Sequence, residues 1–161
     1  MKKIILIAAL ALGFAVAASA QNFRAGVRLG SGFQAQAECV YNGGDYFEGR
    51  FGMAWYHGGI TADFTLLHNW NICTMDWTPS AGQWFFDAGA GLTVGGRAHF
   101  VNLGVAGCAK LGIEFNSVPC RLSLDFSPAF GPAIAYGKGV SAAAFNEYGL
   151  ANLGISAVFS F

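Results

Sequence analysis

From position 23 onward, apolar side chains recur at every second residue, the period of a β-strand with two unlike faces. Eight segments carry this alternation: 23–29, 33–41, 47–55, 60–66, 86–94, 101–115, 120–127 and 151–161. In the first, Phe23, Ala25, Val27 and Leu29 alternate with Arg24, Gly26 and Arg28; in the last, Leu153, Ile155, Ala157, Phe159 and Phe161 alternate with Gly154, Ser156 and Ser160. Asn42-Gly43-Gly44-Asp45 and Asn116-Ser117-Val118-Pro119 are built from the residues that tight reversals require. Two longer connections are expected, one over 69–83 and a Gly/Ala-rich one over 128–148. The pattern predicts an all-β fold, an eight-stranded antiparallel up-and-down barrel.

Which parity faces inward is decided by charge. The apolar set contains no Asp, Glu, Lys or Arg, whereas the other set holds Arg24, Arg28, Arg50, Lys110 and Arg121 against Glu38, Glu48, Asp63, Asp87, Glu114 and Asp125. Five cations against six anions nearly neutralise one another, which suits a closed lumen and is thin cover for a water-facing surface. Gly, Ala and Ser between these charges leave room for long side chains in a narrow interior. In hydrocarbon a sheet must close so that every backbone group pairs, and an even number of strands of about ten residues meets that demand. The expectation is a transmembrane barrel with a polar lumen. An unpaired charge there is costly, so these residues should form a salt-bridge network that fixes register and blocks flow. Two alternatives stay open: a narrow or gated diffusion pore along the same residues, and a soluble periplasmic, lipocalin-like barrel with the apolar set turned inward around a ligand. Aromatic residues fall near segment ends, Phe23, Tyr41, Phe47, Phe115 and Phe161 at one level and Phe33, Trp55 and Phe126 towards the other, as interfacial girdles do.

Met1-Lys2-Lys3, an apolar run over 4–18 and the small-residue site Ala18-Ser19-Ala20 read as a signal peptide, residues 1–20, cleaved before Gln21. The apolar run is short for a spanning helix, and Gln21 is not the Cys of a lipid-anchored protein. Residues 21–161 then form one barrel domain. Of the 161 residues 11% are charged and 54% hydrophobic, which excludes intrinsic disorder. Without Lys2 and Lys3, seven basic residues face nine acidic ones, so no electrostatic footprint for nucleic acid is present.

Candidate chemistry is sparse. A barrel enzyme acting on lipid A would need a His that activates a Ser, with a carboxylate to orient it. His57 and His99 lie in or beside the outward loops with Ser31 and Ser141 nearby in topology, but neither has an adjacent Ser, and His68 sits near the opposite end. No catalytic residue, cofactor or metal site is assigned. Cys39, Cys73, Cys108 and Cys120 show no C-x-x-C spacing, which argues against zinc. Export permits a disulfide among Cys39, Cys73 and Cys120, although free thiols are the expectation. Gly89-Ala90-Gly91 opens no helix and is not a phosphate loop.

The ending Leu153-Gly154-Ile155-Ser156-Ala157-Val158-Phe159-Ser160-Phe161 resembles the C-terminal strand of bacterial outer-membrane barrels. The stretches 84–91, 111–115 and 118–128 are similar to those of small barrels grouped with OmpX-like and opacity-type proteins. That resemblance implies residence in the outer membrane, with Phe159 and Phe161 as the signal read by the barrel-assembly machinery. The partners expected are outer-membrane lipid and that machinery, with the chain a monomer that binds no nucleic acid. The resemblance says almost nothing about activity, and the short outer loops depart from the adhesin members of the group, which carry long variable ones; with no catalytic cluster in the chain, a structural or surface-interaction role is the expectation.

Overall fold

The structure is a computed structural model that describes residues 22–30, 32–56, 59–97, 100–135 and 152–161. Among these, alternating sequence becomes ten strands: β1 (Phe23–Leu29), β2 (Phe33–Tyr41), β3 (Asp45–Tyr56), β4 (Gly59–Met75), β5 (Gly82–Arg97), β6 (Phe100–Phe115), β7 (Cys120–Phe126), β8 (Ala129–Phe130), β9 (Ala133–Ala135) and β10 (Leu153–Ser160). The described residues contain no α-helix, only a 3-10 turn over Asn42–Gly44. The signal segment 1–20 lies outside the described residues.

Neighbouring strands are antiparallel in the order β5-β4-β3-β2-β1-β10-β7-β6, and a further β5–β6 pairing closes the sheet on itself. β7, β8 and β9 count as one barrel strand. They pair β6 in a single register, through Ala109↔Phe126, Ala106↔Ala129 and Asn102↔Ala133. The breaks between them fall at Pro128 and Pro132, which have no N–H to give to the ladder. Both prolines still accept from β6, at 2.8 Å from Gly107 N and 3.2 Å from Leu103 N. The result is an eight-stranded closed antiparallel barrel.

Register fixes its shape. Starting at Asn102 on β6, paired residues run through Gly95, Asp63, Gly52, Gln34, Arg28, Ser156 and Ser123 and return to β6 at Gly112, a stagger of ten residues. With a rise of about 3.3 Å per residue and strands about 4.8 Å apart, that stagger tilts the strands by about 40° and gives a backbone radius of about 8 Å. Every residue on this path is buried or faces the interior, so a narrow lumen lined by one parity is built into the pairing.

The start of β1 and the end of β10 reach the same mouth, where Phe161 N donates to Phe23 O at 3.0 Å. The tight turns 42–44 and 116–119 lie at this turn end, and Gly43 and Gly44 take φ of 74° and 109° there, the left-handed region that side chains avoid. The opposite mouth is the loop end.

Two expected connections are replaced by strand. Over 69–83, β4 continues to Met75 and β5 starts at Gly82, so only the turn 76–81 remains. The alternation fails there because Ile72 is the extra residue of a bulge: Asn71 pairs Asp87, and Cys73 pairs Phe86. One inserted residue shifts every later side chain to the other face. Over 128–148, the first part is β8 and β9, and 136–151 lies outside the described residues. Phe126 therefore stands partway along a strand that runs on to Ala135, rather than near its loop end. Ala151 falls outside the described residues, and β10 starts at Leu153.

Candidate functional site

Each interior position arises from a strand parity, and the eleven charged residues picked from the alternation all lie on the inward parity. Nine are buried; Arg24 and Glu114 sit lowest, with side chains 14% and 47% exposed at the turn end. The lumen they fill divides into three connected layers.

Nearest the loop end, Arg28 is fully buried and gives Nε to Asp125 Oδ1 at 2.6 Å, Nη1 to Gln34 Oε1 at 3.0 Å and Nη2 to Asn152 Oδ1 at 3.1 Å. Ser156 Oγ donates to the other Asp125 oxygen at 2.6 Å, and Gln34 Nε2 donates to Asp63 Oδ2 at 2.9 Å. Gly52 and Gly154 make this layer feasible. A Cβ on Gly52 would lie 2.3 Å from Asp63 Oδ1, and one on Gly154 would lie 2.6 Å from Arg28 Cζ.

The middle layer centres on Glu48. Its Oε1 accepts from Arg50 Nε at 2.5 Å, while Oε2 accepts from Asn69 Nδ2 at 2.7 Å and pairs Lys110 Nζ at 2.8 Å. Lys110 also reaches Glu38 Oε1 at 3.1 Å, which accepts from Gln36 Nε2 at 2.7 Å. Arg50 finishes its donors on Ser127 Oγ at 3.0 Å and Cys108 Sγ at 3.2 Å. Between these two layers lies a polar cavity of about 20 Å³, lined in part by Arg50, Asp63, Thr65, Thr93 and Ser127, room for about one water.

At the turn end, Asp87 gathers Arg121 Nη2 at 2.6 Å, Tyr46 Oη at 2.9 Å and Asn71 Nδ2 at 2.9 Å. The Arg121 guanidinium lies 3.4 Å above the Phe85 ring, a cation–π contact. Arg24 bridges Glu114 at 3.3 Å and Glu38 at 3.7 Å, which ties this layer to the one above.

Five cations and six carboxylates in a narrow interior thus meet opposite charges or amide and hydroxyl donors. Such a network is costly to break, since removing one partner strands another in low dielectric. Its chemistry is electrostatic pairing. Among the described residues, no three His, Cys, Asp or Glu side chains converge as a metal-ligating group. Gln34, Gln36, Asn69, Asn71, Tyr46, Ser127, Asn152 and Ser156 complete the network, and charge alone did not single them out. Most share the inward parity, which was the available signal; Asn69 and Asn71 fell in the connection expected over 69–83, and Tyr46 fell between the turn 42–45 and the segment 47–55. Tyr46, Leu67 and Phe85 are apolar bodies inside the lumen, and Ile113 of the exterior parity is buried.

All four cysteines are free. Cys108 is in the lumen against Arg50, and Cys39 and Cys73 are exposed near the turn end. Cys39 and Cys73 stand on strands that β3 separates, two strand spacings or about 9.6 Å apart, beyond disulfide reach. Ser31, His57, His99 and Ser141 lie outside the described residues. His68 is described, and it stands on the exterior parity of β4, where its Nε2 hydrogen-bonds Tyr41 Oη. Phe159 and Phe161 end the chain on the exterior, 49% and 78% exposed.

Comparison of the chain with protein-family models, curated proteins and solved structures gives no match.

Proposed function

We propose that the protein is an integral outer-membrane β-barrel with a structural or surface-interaction role and a closed, charge-paired lumen. The carrying observation is its inverted polarity. Arg28, Glu48, Arg50, Asp87, Lys110 and Asp125 are almost wholly buried, while Leu29, Phe33, Phe51, Leu92, Leu124 and Ile155 are each at least half exposed, in a belt around the barrel. A continuous apolar belt far exceeds the few hundred Å² that a soluble monomer exposes, and it matches the outward band of membrane barrels. Closure of the sheet supports the same reading, because no strand edge is left along the belt. Export by residues 1–20 with cleavage after Ala20, and delivery to the membrane through Phe159 and Phe161, belong to it. Lipid is the partner; no catalytic step, cofactor or nucleic acid enters.

The polar interior counts against a lipocalin-like carrier, which needs an apolar pocket. The salt bridges at every level count against a diffusion pore. Gel mobility of residues 21–161 refolded in detergent, with and without boiling, tests the proposal. A heat-dependent shift is expected; a chain that stays soluble without detergent and does not shift overturns it.

A further inference from the structure

Among the described residues, a small polar group sits within the apolar exterior of the turn-end half: His68, with Tyr41 and Asp45 beside it. His68 stands in the outward row Phe23–Cys39–Phe47–His68–Ala90, which crosses β1 to β5. Its ring packs edge-on to Phe47 at 4.9 Å and to Trp70 at 4.6 Å, and Tyr41 stacks on Phe47 at 5.3 Å. Tyr41, Phe47 and Trp70 are all substantially exposed, so this is surface rather than core. When Tyr41 Oη donates to Nε2, the His68 proton sits on Nδ1 and points a donor away from the pair.

The sequence of groups down the wall is ordered. Phe64, Leu66 and Phe51 lie above His68, towards mid-barrel, and are exposed and apolar. Below it come Trp70 and Asp45, and Asp45 is the cross-strand partner of Tyr41. Asp45 Oδ1 accepts from Asn71 N at 3.0 Å, which holds its carboxylate beside β4. Among the described residues, no Lys or Arg stands on this face of β2, β3 and β4. Acyl chain, phosphate and amine follow one another in the same order along a phospholipid whose headgroup points to the turn-end mouth.

Resting on the membrane reading above, we propose that His68, Tyr41 and Asp45 form an exterior site for the headgroup of an amine-bearing phospholipid of the phosphatidylethanolamine type. A phosphate oxygen accepts from His68 Nδ1–H. The ammonium lies against the Asp45 carboxylate and the Trp70 face, where charge-assisted hydrogen bonding and cation–π attraction both favour it. An anionic headgroup without an amine leaves Asp45 repelling it and finds no cation on this face.

The test is native mass spectrometry of the full chain refolded in neutral maltoside micelles and titrated with phosphatidylethanolamine or phosphatidylglycerol. One phosphatidylethanolamine is expected to be retained about tenfold more tightly than phosphatidylglycerol, the worth of one charge-assisted hydrogen bond. Asp45→Asn should abolish that preference, and His68→Phe, which keeps the ring packing but removes the donor to the shared phosphate, should weaken retention of both lipids, each variant keeping the heat-dependent gel shift. Equal retention of both lipids by the unaltered protein, or undiminished retention of phosphatidylethanolamine in His68→Phe, overturns the site and leaves the membrane barrel standing. Displacement of the lipid by tail-free phosphoethanolamine at equal concentration overturns the lipid assignment. A chain that never enters micelles overturns both readings together.

Discussion

Arg28 holds three other strands to its own: Asp125 on β7, Gln34 on β2 and Asn152 just ahead of β10 all accept hydrogen bonds from it. Arg28→Met should therefore cost about 3–5 kcal/mol, because Asp125 is left as a buried, unpaired carboxylate. The double change Arg28→Met with Asp125→Leu should recover most of that loss, and guanidinium unfolding midpoints of the refolded barrel would show it. If the double variant is no more stable than the single one, desolvated Asp125 is not the cause. Gly154→Ala drives a methyl into the same guanidinium and should cost about 1–3 kcal/mol. Legibility at this scale was uneven. Arg28 and Asp125 stood out because charge on an alternating strand is rare, whereas Gln34 and Asn152, which share their hydrogen bonds, look like any polar residue.

Among the elements, the turn Asn42–Gly44 joins β2 to β3 with two left-handed glycines. Gly44→Ala, at φ 109°, is expected to destabilise by about 1–3 kcal/mol, read from the same unfolding curves. The free thiols report on strand parity independently. Cys39 on β2 and Cys73 on β4 should react with maleimide in the folded protein, while Cys108 on β6 should react only after unfolding; labelling of Cys108 in the folded state would contradict the lumen placement. The alternation located the strands wherever period two was unbroken. It failed at Ile72, where a bulge resets the parity, and at Pro128 and Pro132, which read as loop residues although their carbonyls stay in the ladder. Neither device leaves a periodic trace, since each depends on a partner strand distant in sequence.

For the whole molecule, the three lumen layers form one connected network, which on the proposed reading plugs the barrel. Arg50 joins Glu48 on its own strand to Ser127 and to Cys108 on β6, and Arg121 joins Asp87 on β5 to Glu114 on β6. Arg50→Gln or Arg121→Gln should raise single-channel conductance in planar bilayers from near zero to a measurable level; open channels in the unaltered protein would contradict a plugged lumen. The closed barrel and its polar interior were legible because charge segregates so sharply by parity. The stagger of ten was not, because only the observed pairing of distant strands defines it.

The meeting of Phe23 and Phe161 at one mouth has a further consequence. Since β1 and β10 pair like any other neighbours, where the chain begins and ends is arbitrary for the finished sheet. A circular permutant that links residue 161 to residue 22 through a few added glycines and opens within 116–119 keeps every strand pair and every lumen contact. It should refold in detergent with wild-type stability. On the proposed membrane reading, the same permutant placed behind residues 1–20 no longer ends in Phe161 and should fail to reach the outer membrane in living cells, separating what the barrel needs to be stable from what that reading requires for delivery.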